Sequence, residues 1–351
     1  MSKNFIEKLK DKKNIIALAP MADVTDLVFR ELIAKYSRPQ GPDIFWTEFV
    51  AADGLVHKDA QKKLLIDLKF SKKERPILAQ IFGSNKENML KATTLVHKLG
   101  FDGVDINMGC PDKSIEKQGS GASMIKNPNA VRDLLKDLKK EITKLNKKSF
   151  FSFSVKTRIG YNKIEYKTWF PNILDFEPDI FTIHLRTRKE MSLVEAHYEI
   201  SKEIVDFIKK YCIENKLKTP LIILNGDVKN IKDAIEKIKI SNADGIMIGR
   251  GVFGTPWLFN DKEYENRSEQ NIETKKGKEN ILFKLKVMLE HTKNFENKLV
   301  KEKSFNIMKK HYKAYVNGFD NAKELRIELM NAKDYKEIKK ITDNFIKEKL
   351  K

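Results

Sequence analysis

Eight short apolar runs, alternating with longer stretches of helical periodicity, constrain this chain more than any other feature. The runs are Asn14–Pro20, Ile44–Phe49, Ile77–Phe82, Gly103–Asn107, Phe151–Lys156, Ile180–His184, Leu221–Asn225 and Gly245–Ile248. Most are continuously apolar, as expected of strands buried on both faces. Helical patterns fall at Leu27–Tyr36, Lys86–Leu99, Ala130–Leu145, Lys202–Tyr211 and Ile231–Ile238. Asn85 and Asn230 suit N-caps, and Gly100 suits the residue just past a helix end. Strand then helix, repeated through about 240 residues, predicts an α/β fold of the (β/α)8 or TIM-barrel type. An open doubly wound sheet is the rival. Its Gly-rich first turn is missing, because the first turn here reads Pro20-Met21-Ala22-Asp23.

The character changes after Trp257. Residues 260–280 are polar with mixed charge and read as a linker. From Ile281 onward there is helical periodicity without strand signal, and Phe305, Met308, Tyr312 and Tyr315 form a candidate buried stripe. The expected organisation is a barrel over residues 1–259, a linker over 260–280 and an appended C-terminal helical domain over 281–351.

Apolar residues make up 41% of the chain, enough for a sizeable core. Lys and Arg outnumber Asp and Glu by 68 to 49, a formal charge of +19. That excess attracts polyanions, nucleic acid among them, although a Lys-rich compositional bias gives the same number. Two distant cysteines make neither a disulfide framework nor a metal site, so no metal is expected and a reducing, cytoplasmic setting fits. Met1–Lys13 has no apolar core, so no signal peptide is expected. No apolar run reaches the ~20 residues that span a bilayer, which predicts a soluble protein without a membrane partner. A monomer is expected.

Barrel sites are built at the C-terminal ends of strands. Pro20, Met21 and Ala22 follow the first strand, and Gln80 lies in the third. The fourth leads into Asn107-Met108-Gly109-Cys110-Pro111, and the fifth ends at Lys156. The sixth ends at His184, followed by Arg186. The last two give Asn225-Gly226-Asp227 and Gly249-Arg250. The closing glycines with Arg250 favour a phosphate site, though each glycine alone suits a turn. Lys156 can neutralise an anionic ring or form a Schiff base. His184 can be structural or functional. Gln80 can read a planar ring edge or be a satisfied core amide. Cys110, in a tight loop, can be a nucleophile or a general acid. Cys212, inside a helical pattern, reads as a buried structural thiol.

These segments resemble the tRNA-dihydrouridine synthases. The matching pieces are Ala19 to Asp26, Gln80-Ile81-Phe82-Gly83, Asp105 to Pro111, Gly119-Ser120-Gly121-Ala122, Val155-Lys156-Thr157-Arg158, His184 to Arg188, Asn225-Gly226-Asp227 and Gly249-Arg250. His311 to Tyr315 and Ala322 to Arg326 are similar to the family's helical RNA-binding domain, so the resemblance covers nearly the whole chain. It implies FMN as cofactor, NADPH as reductant and tRNA as partner, with reduction of the C5–C6 bond of particular uridines. Pro20, Met21 and Ala22 would line the isoalloxazine, and Gln80 would meet its pyrimidine edge. Lys156 would stabilise the anionic reduced ring. His184, Asn225, Gly226, Asp227, Gly249 and Arg250 would hold ring, ribityl chain and phosphate, while Asn107 and Arg186 would meet the uracil. Hydride would go to C6, and Cys110 would protonate C5, so its thiol should stay protonated. The target uridine would have to swing out of its stack.

The appended domain's densest positive stretch, Lys298 to Lys313, has six Lys against Glu302 and suits RNA or a solvated face. After Arg188 the chain departs from the family, reading Lys189 to Val194 where a glycine-containing stretch is usual. Two other classes compete. One is an FMN barrel oxidoreductase of a free pyrimidine, similar to dihydroorotate dehydrogenase, against which the basic helical region speaks. The other is an RNA-binding barrel with a degenerate site, against which Gln80, Cys110, Lys156 and Arg250 speak.

Overall fold

The computed structural model describes residues 3–350. These divide into two compact units: the described residues of Met1–Met21 with Pro42–Gly249, and of Ala22–Gly41 with Arg250–Lys351.

The first unit is a barrel of eight parallel strands: β1 (Ile15–Leu18), β2 (Phe45–Trp46), β3 (Ile77–Phe82), β4 (Gly103–Met108), β5 (Ser152–Arg158), β6 (Ile180–His184), β7 (Leu221–Asn225) and β8 (Gly245–Ile248). A further two-residue strand, Val50–Ala51, pairs with β3. The order runs β1-β8-β7-β6-β5-β4-β3-β2. Closure is made just before β2, where Leu18 N donates to Ile44 O (3.2 Å) and Asp43 N donates to Ile16 O (2.8 Å). All eight strands lie at the runs expected from sequence.

The strands are apolar on both faces because both are covered. Ile15, Ala17, Trp46, Leu78, Ile223 and Met247 belong to one buried cluster, which helix Phe5–Lys10 joins through Ile6 and Leu9. Helices Lys86–Lys98 and Ile231–Ser241 start where the sequence predicts, while those expected from Ala130 and Lys202 start at Pro128 and Ser201. Asn85 accepts Asn88 N, Asn230 accepts Asp233 N, and Gly100 follows its helix at φ +82°. Cys212 is buried and free in helix Ser201–Glu214.

The register positions the site. Gln80 pairs with Asp105, Asn107 with Lys156, Arg158 with His184, and His184 with Asn225. Seven polar side chains are thereby set in adjacent rows toward one end of the barrel, where its packed core gives way to loops.

The second unit is helical. Helix Leu27–Ser37 lies against helix Lys275–Leu299. Phe29 stacks on His291 (5.1 Å between centroids), and Lys35 pairs with Glu290 at 2.6 Å. Helices Met308–Tyr315, Ala322–Asn331 and Tyr335–Phe345 complete it. Met308, Tyr312 and Tyr315 are buried as the stripe predicts, while Phe305 is half-buried in a 3-10 turn. The segment 260–280, expected as a linker, holds helix Asp261–Asn266 and the start of Lys275–Leu299. Their caps, Asn260 and Thr274, lie in a stretch with too few apolar residues to show periodicity. Among the described residues no helix is long and apolar enough to cross a membrane.

Candidate active site

Cys110 follows β4 in a loop built around Asn107. The Asn107 side-chain carbonyl accepts both Gly109 N (3.1 Å) and Cys110 N (2.9 Å). Its amide donates to Gln80 Oε1 at 2.9 Å, and Gln80 Nε2 donates to Asp105 Oδ2 at 2.6 Å. Asp105 also accepts Ser154 Oγ. Burial raises the Asp105 carboxyl to about 6, against the opposing pull of its hydrogen bonds and of Lys156. The loop is backed from the other side. Ala122 N donates to Cys110 O at 2.9 Å, and a Cβ at Gly121 (φ +62°) would stand 2.7 Å from that oxygen. The Gly119-Ser120-Gly121-Ala122 run is thus a buttress for Cys110, a role that motif spacing alone did not assign.

The Cys110 thiol is half-buried and free. Burial pushes its pKa up, and Arg158 and Lys156 only partly counter this. A thiol shifted upward from its ordinary value is an S–H group at neutral pH and can donate a proton.

Lys156 sits beside Asn107 on β5. Burial depresses its ammonium to about 8, with Arg158 adding to the fall and Asp105 opposing it. Among the described residues its hydrogen-bond partner is the neutral Asn225 Oδ1, at 3.2 Å. Asn225 Nδ2 in turn donates to Met247 O at 2.9 Å. A buried cation whose hydrogen bond goes to a neutral amide suits an anionic ligand edge.

Arg158, only 5% exposed, joins two loops. Its Nε donates to Gly109 O at 2.7 Å, and Nη1 donates to Thr187 O (3.1 Å) and Met191 O (3.4 Å). Desolvation lowers it to about 10, still protonated at neutral pH.

At the end of β6, Arg186 is 2% exposed. It donates to Val194 O (2.7 Å) and to His184 Nε2 (3.2 Å), and forms an ion pair with Asp227. Because guanidinium only donates, His184 Nε2 is an acceptor and its ring is neutral. Gly226 (φ +135°) lies under that ring. A Cβ there would meet Ala196 Cβ at 2.6 Å, so only glycine fits.

Of the sequence-predicted site residues, the barrel therefore brings together Gln80, Asn107, Cys110, Lys156, His184, Arg186, Asn225, Gly226 and Asp227. Gln80, Asn107 and Arg186 are buried with their polar atoms engaged inside the protein. Pro20, Met21 and Gly249 are half-buried at the ends of β1 and β8, with Gly249 beside Met21 Sδ. Ala22 and Arg250 are exposed and belong to the second unit. In that unit lysines of the basic stretch face carboxylates, among them Lys298 with Glu31 (2.5 Å) and Lys310 with Asp23 (3.3 Å). Arg158, Arg188 and Glu190 emerge as braces of the site. Their signal was the density of charge after β5 and β6.

A parallel eight-stranded barrel that gathers a thiol, a lysine and a histidine at the C-terminal ends of its strands has the architecture of a barrel enzyme. The sequence profile of the family described as Dihydrouridine synthase (Dus) matches residues 17–350. A "Probable tRNA-dihydrouridine synthase" of Staphylococcus aureus (strain COL) is 35% identical over 98% of this chain and 96% of that protein. A "Probable tRNA-dihydrouridine synthase 2" of Bacillus subtilis (strain 168) is 33% identical over 98% and 97%. The chain belongs to the dihydrouridine synthase family. Among solved structures, a 2-naphthoyl-CoA reductase complex matches in fold alone, with TM-score 0.50 and 12% identity over 72% of this chain. This chain spans about half the length of that structure, 50%.

Proposed function

We propose that this protein reduces the C5–C6 double bond of uridines in tRNA, with FMN as cofactor and NADPH as reductant. The observation that carries the reading is Cys110. A thiol kept protonated by burial, in a loop fixed at both backbone ends, suits a proton donor and does not suit a thiolate nucleophile.

The residues fit FMN. Lys156 has a neutral partner and a positive charge to offer the N1/O2 edge of the ring. Gln80 keeps one N–H and one lone pair beyond its internal bonds. Pro20, Met21 and Ala22 would line the ring face. His184, Asn225 and Asp227 would hold ring and ribityl chain, and Gly226, Gly249 and Arg250 the phosphate. When bound, FMN supplies the hydride that adds to C6 of uracil.

Cys110 supplies the matching proton at C5, so the S–H bond breaks as the C5–H bond forms. The thiolate left behind feels the positive charges of Arg158 and Lys156 until solvent reprotonates it. Asn107 and Arg186 fix the uracil either by direct contact or through the loops they hold. Lysines of the second unit would bind the tRNA backbone.

The test is the Cys110→Ala protein. It is expected to remain yellow and to be reduced by NADPH, while forming no dihydrouridine in unmodified tRNA. A colourless protein that FMN cannot reconstitute overturns the reading. So does turnover of a free pyrimidine in place of tRNA.

A further inference from the structure

The loop after β6 carries an exposed apolar tip. Leu193 is 84% exposed, Met191 44% and Val194 43%. One exposed leucine means little, but three such residues within four positions mark a contact surface. This tip is built, and is not a loose excursion. Glu190 accepts Thr187 N at 2.7 Å, Leu193 N donates to Glu190 O at 2.8 Å, and Arg186 Nε donates to Val194 O at 2.7 Å. Arg188 is ion-paired with Glu116 behind it. Met191 is held at φ +51°, a left-handed conformation that a non-glycine residue keeps only when its surroundings impose it.

The tip also has a fixed relation to Cys110. One guanidinium, that of Arg158, binds Met191 O at 3.4 Å and Gly109 O at 2.7 Å, so the base of the tip and the Cys110 loop share a single brace. Exposed lysines lie along the same loops: Lys113 and Lys117 after Cys110, Lys126 beyond them, and Lys189 at the foot of the tip. A rigid apolar pin flanked by cations matches a polyanion with apolar interior faces, which is stacked nucleic acid.

We propose that Leu193 is a wedge that enters the RNA stack where the target uridine leaves it, filling the gap and holding the base out toward Cys110. The proposal rests on the tRNA reading above and deepens it. Withdrawing a base from a stack is unfavourable, and an apolar side chain that replaces its contacts offsets that cost without adding sequence specificity. Leu193 touches no reacting atom and is a positioning residue. Its effect should appear in the rate of productive base capture and leave tRNA affinity nearly unchanged, because affinity comes from the lysines.

The experiment compares wild type with Leu193→Ala, Leu193→Ser and Leu193→Met, each flavin-loaded, on unmodified tRNA. Ala and Ser are expected to lower kcat for dihydrouridine formation at least tenfold. The expected change in tRNA affinity is under twofold, and flavin reduction by NADPH should be unchanged. Met, which restores apolar bulk, is expected to recover most of the rate. Full activity in Ala and Ser overturns the wedge. So does an equal loss in Met, or a loss that follows tRNA affinity. Binding of wild type but not Leu193→Ser to anionic vesicles, with both equally active on tRNA, would assign the tip to a membrane and overturn it too. A wild-type protein that makes no dihydrouridine at all removes the underlying reading and the wedge together, an outcome distinct from the others.

Discussion

The side-chain carbonyl of Asn107 accepts the backbone N–H of Cys110 at 2.9 Å, so the residue that sits beside Lys156 in the sheet also sets where the thiol points. One rigid strand end thereby fixes a thiol relative to a cation. Asn107→Ala would leave Gly109 N, Cys110 N and Gln80 Oε1 without their partner. Each buried polar group so orphaned costs about 1–3 kcal/mol, unless water enters. Dihydrouridine formation is expected to fall at least tenfold with flavin content retained, and the urea midpoint to drop. Unchanged activity in an equally stable variant would show that the Cys110 loop holds itself.

Lys156 shows how such a site trades stability for chemistry. Burial lowers its folded-state pKa to about 8 from an ordinary 10.5. Between those values the unfolded chain binds more protons, so wild-type stability rises with pH across that window, and below pH 8 the penalty is fully present. Lys156→Met removes it. The variant is expected to be more stable than wild type at pH 7, by on the order of 1–3 kcal/mol, with the difference vanishing toward pH 10.5. It should also lose flavin or its reduction. Denaturant melts at pH 7 and pH 10 check the sign.

Much of this was readable in the sequence, and the exceptions have physical reasons. Strands buried on both faces leave continuous apolar runs, and all eight barrel strands carry one. The position of Cys110 in a loop just past β4 was legible because Gly109 and Pro111 flank it. Helix Phe5–Lys10 escaped, although its Asn4–Glu7 capping box and its Ile6 and Leu9 spacing were present, because six residues are too few for periodicity. Arg158 escaped because its partners, Gly109, Thr187 and Met191, are distant in sequence and meet only through strand register. That Ala22–Gly41 groups with the C-terminal helices was hidden for the same reason: an amphipathic helix does not announce which surface it will cover.

His291 and His311 make the second unit sensitive to acid. Their rings lie 4.4 Å apart and are buried against Phe29. Burial pushes His311 down to about 3, with Lys310 adding to the fall, and it also drives His291 well below its usual value. An unfolded histidine titrates near 6.5, so the stability these neutral rings allow is present above that pH and declines as pH falls below it. The slope is up to about 1.4 kcal/mol per pH unit for each ring. Buried Asp26, whose carboxyl is raised chiefly by burial, acts in the opposite sense. Full-length protein is expected to lose stability from pH 7 to pH 5. The His291→Phe, His311→Phe double variant should be flatter over that range, as measured by urea unfolding. Parallel profiles would place the acid sensitivity elsewhere.

The ion pair between Arg186 and Asp227 closes the site on the β6 side. Arg186 is almost wholly buried and ion-paired with Asp227, while its Nε carries the end of the exposed tip through Val194 O. Asp227 also accepts Ala196 N at 2.9 Å, on the far side of the same tip. Removing the carboxylate should therefore act twice, by stranding a buried cation and by releasing the loop. Asp227→Ala is expected to destabilise the barrel by about 3 kcal/mol. It should also speed proteolysis between Lys189 and Glu195, whereas Asp227→Asn, which keeps an acceptor for Ala196 N, should protect that loop better. Equal cleavage rates in wild type and Asp227→Ala would show that Arg158 and Glu190 hold the tip without the pair.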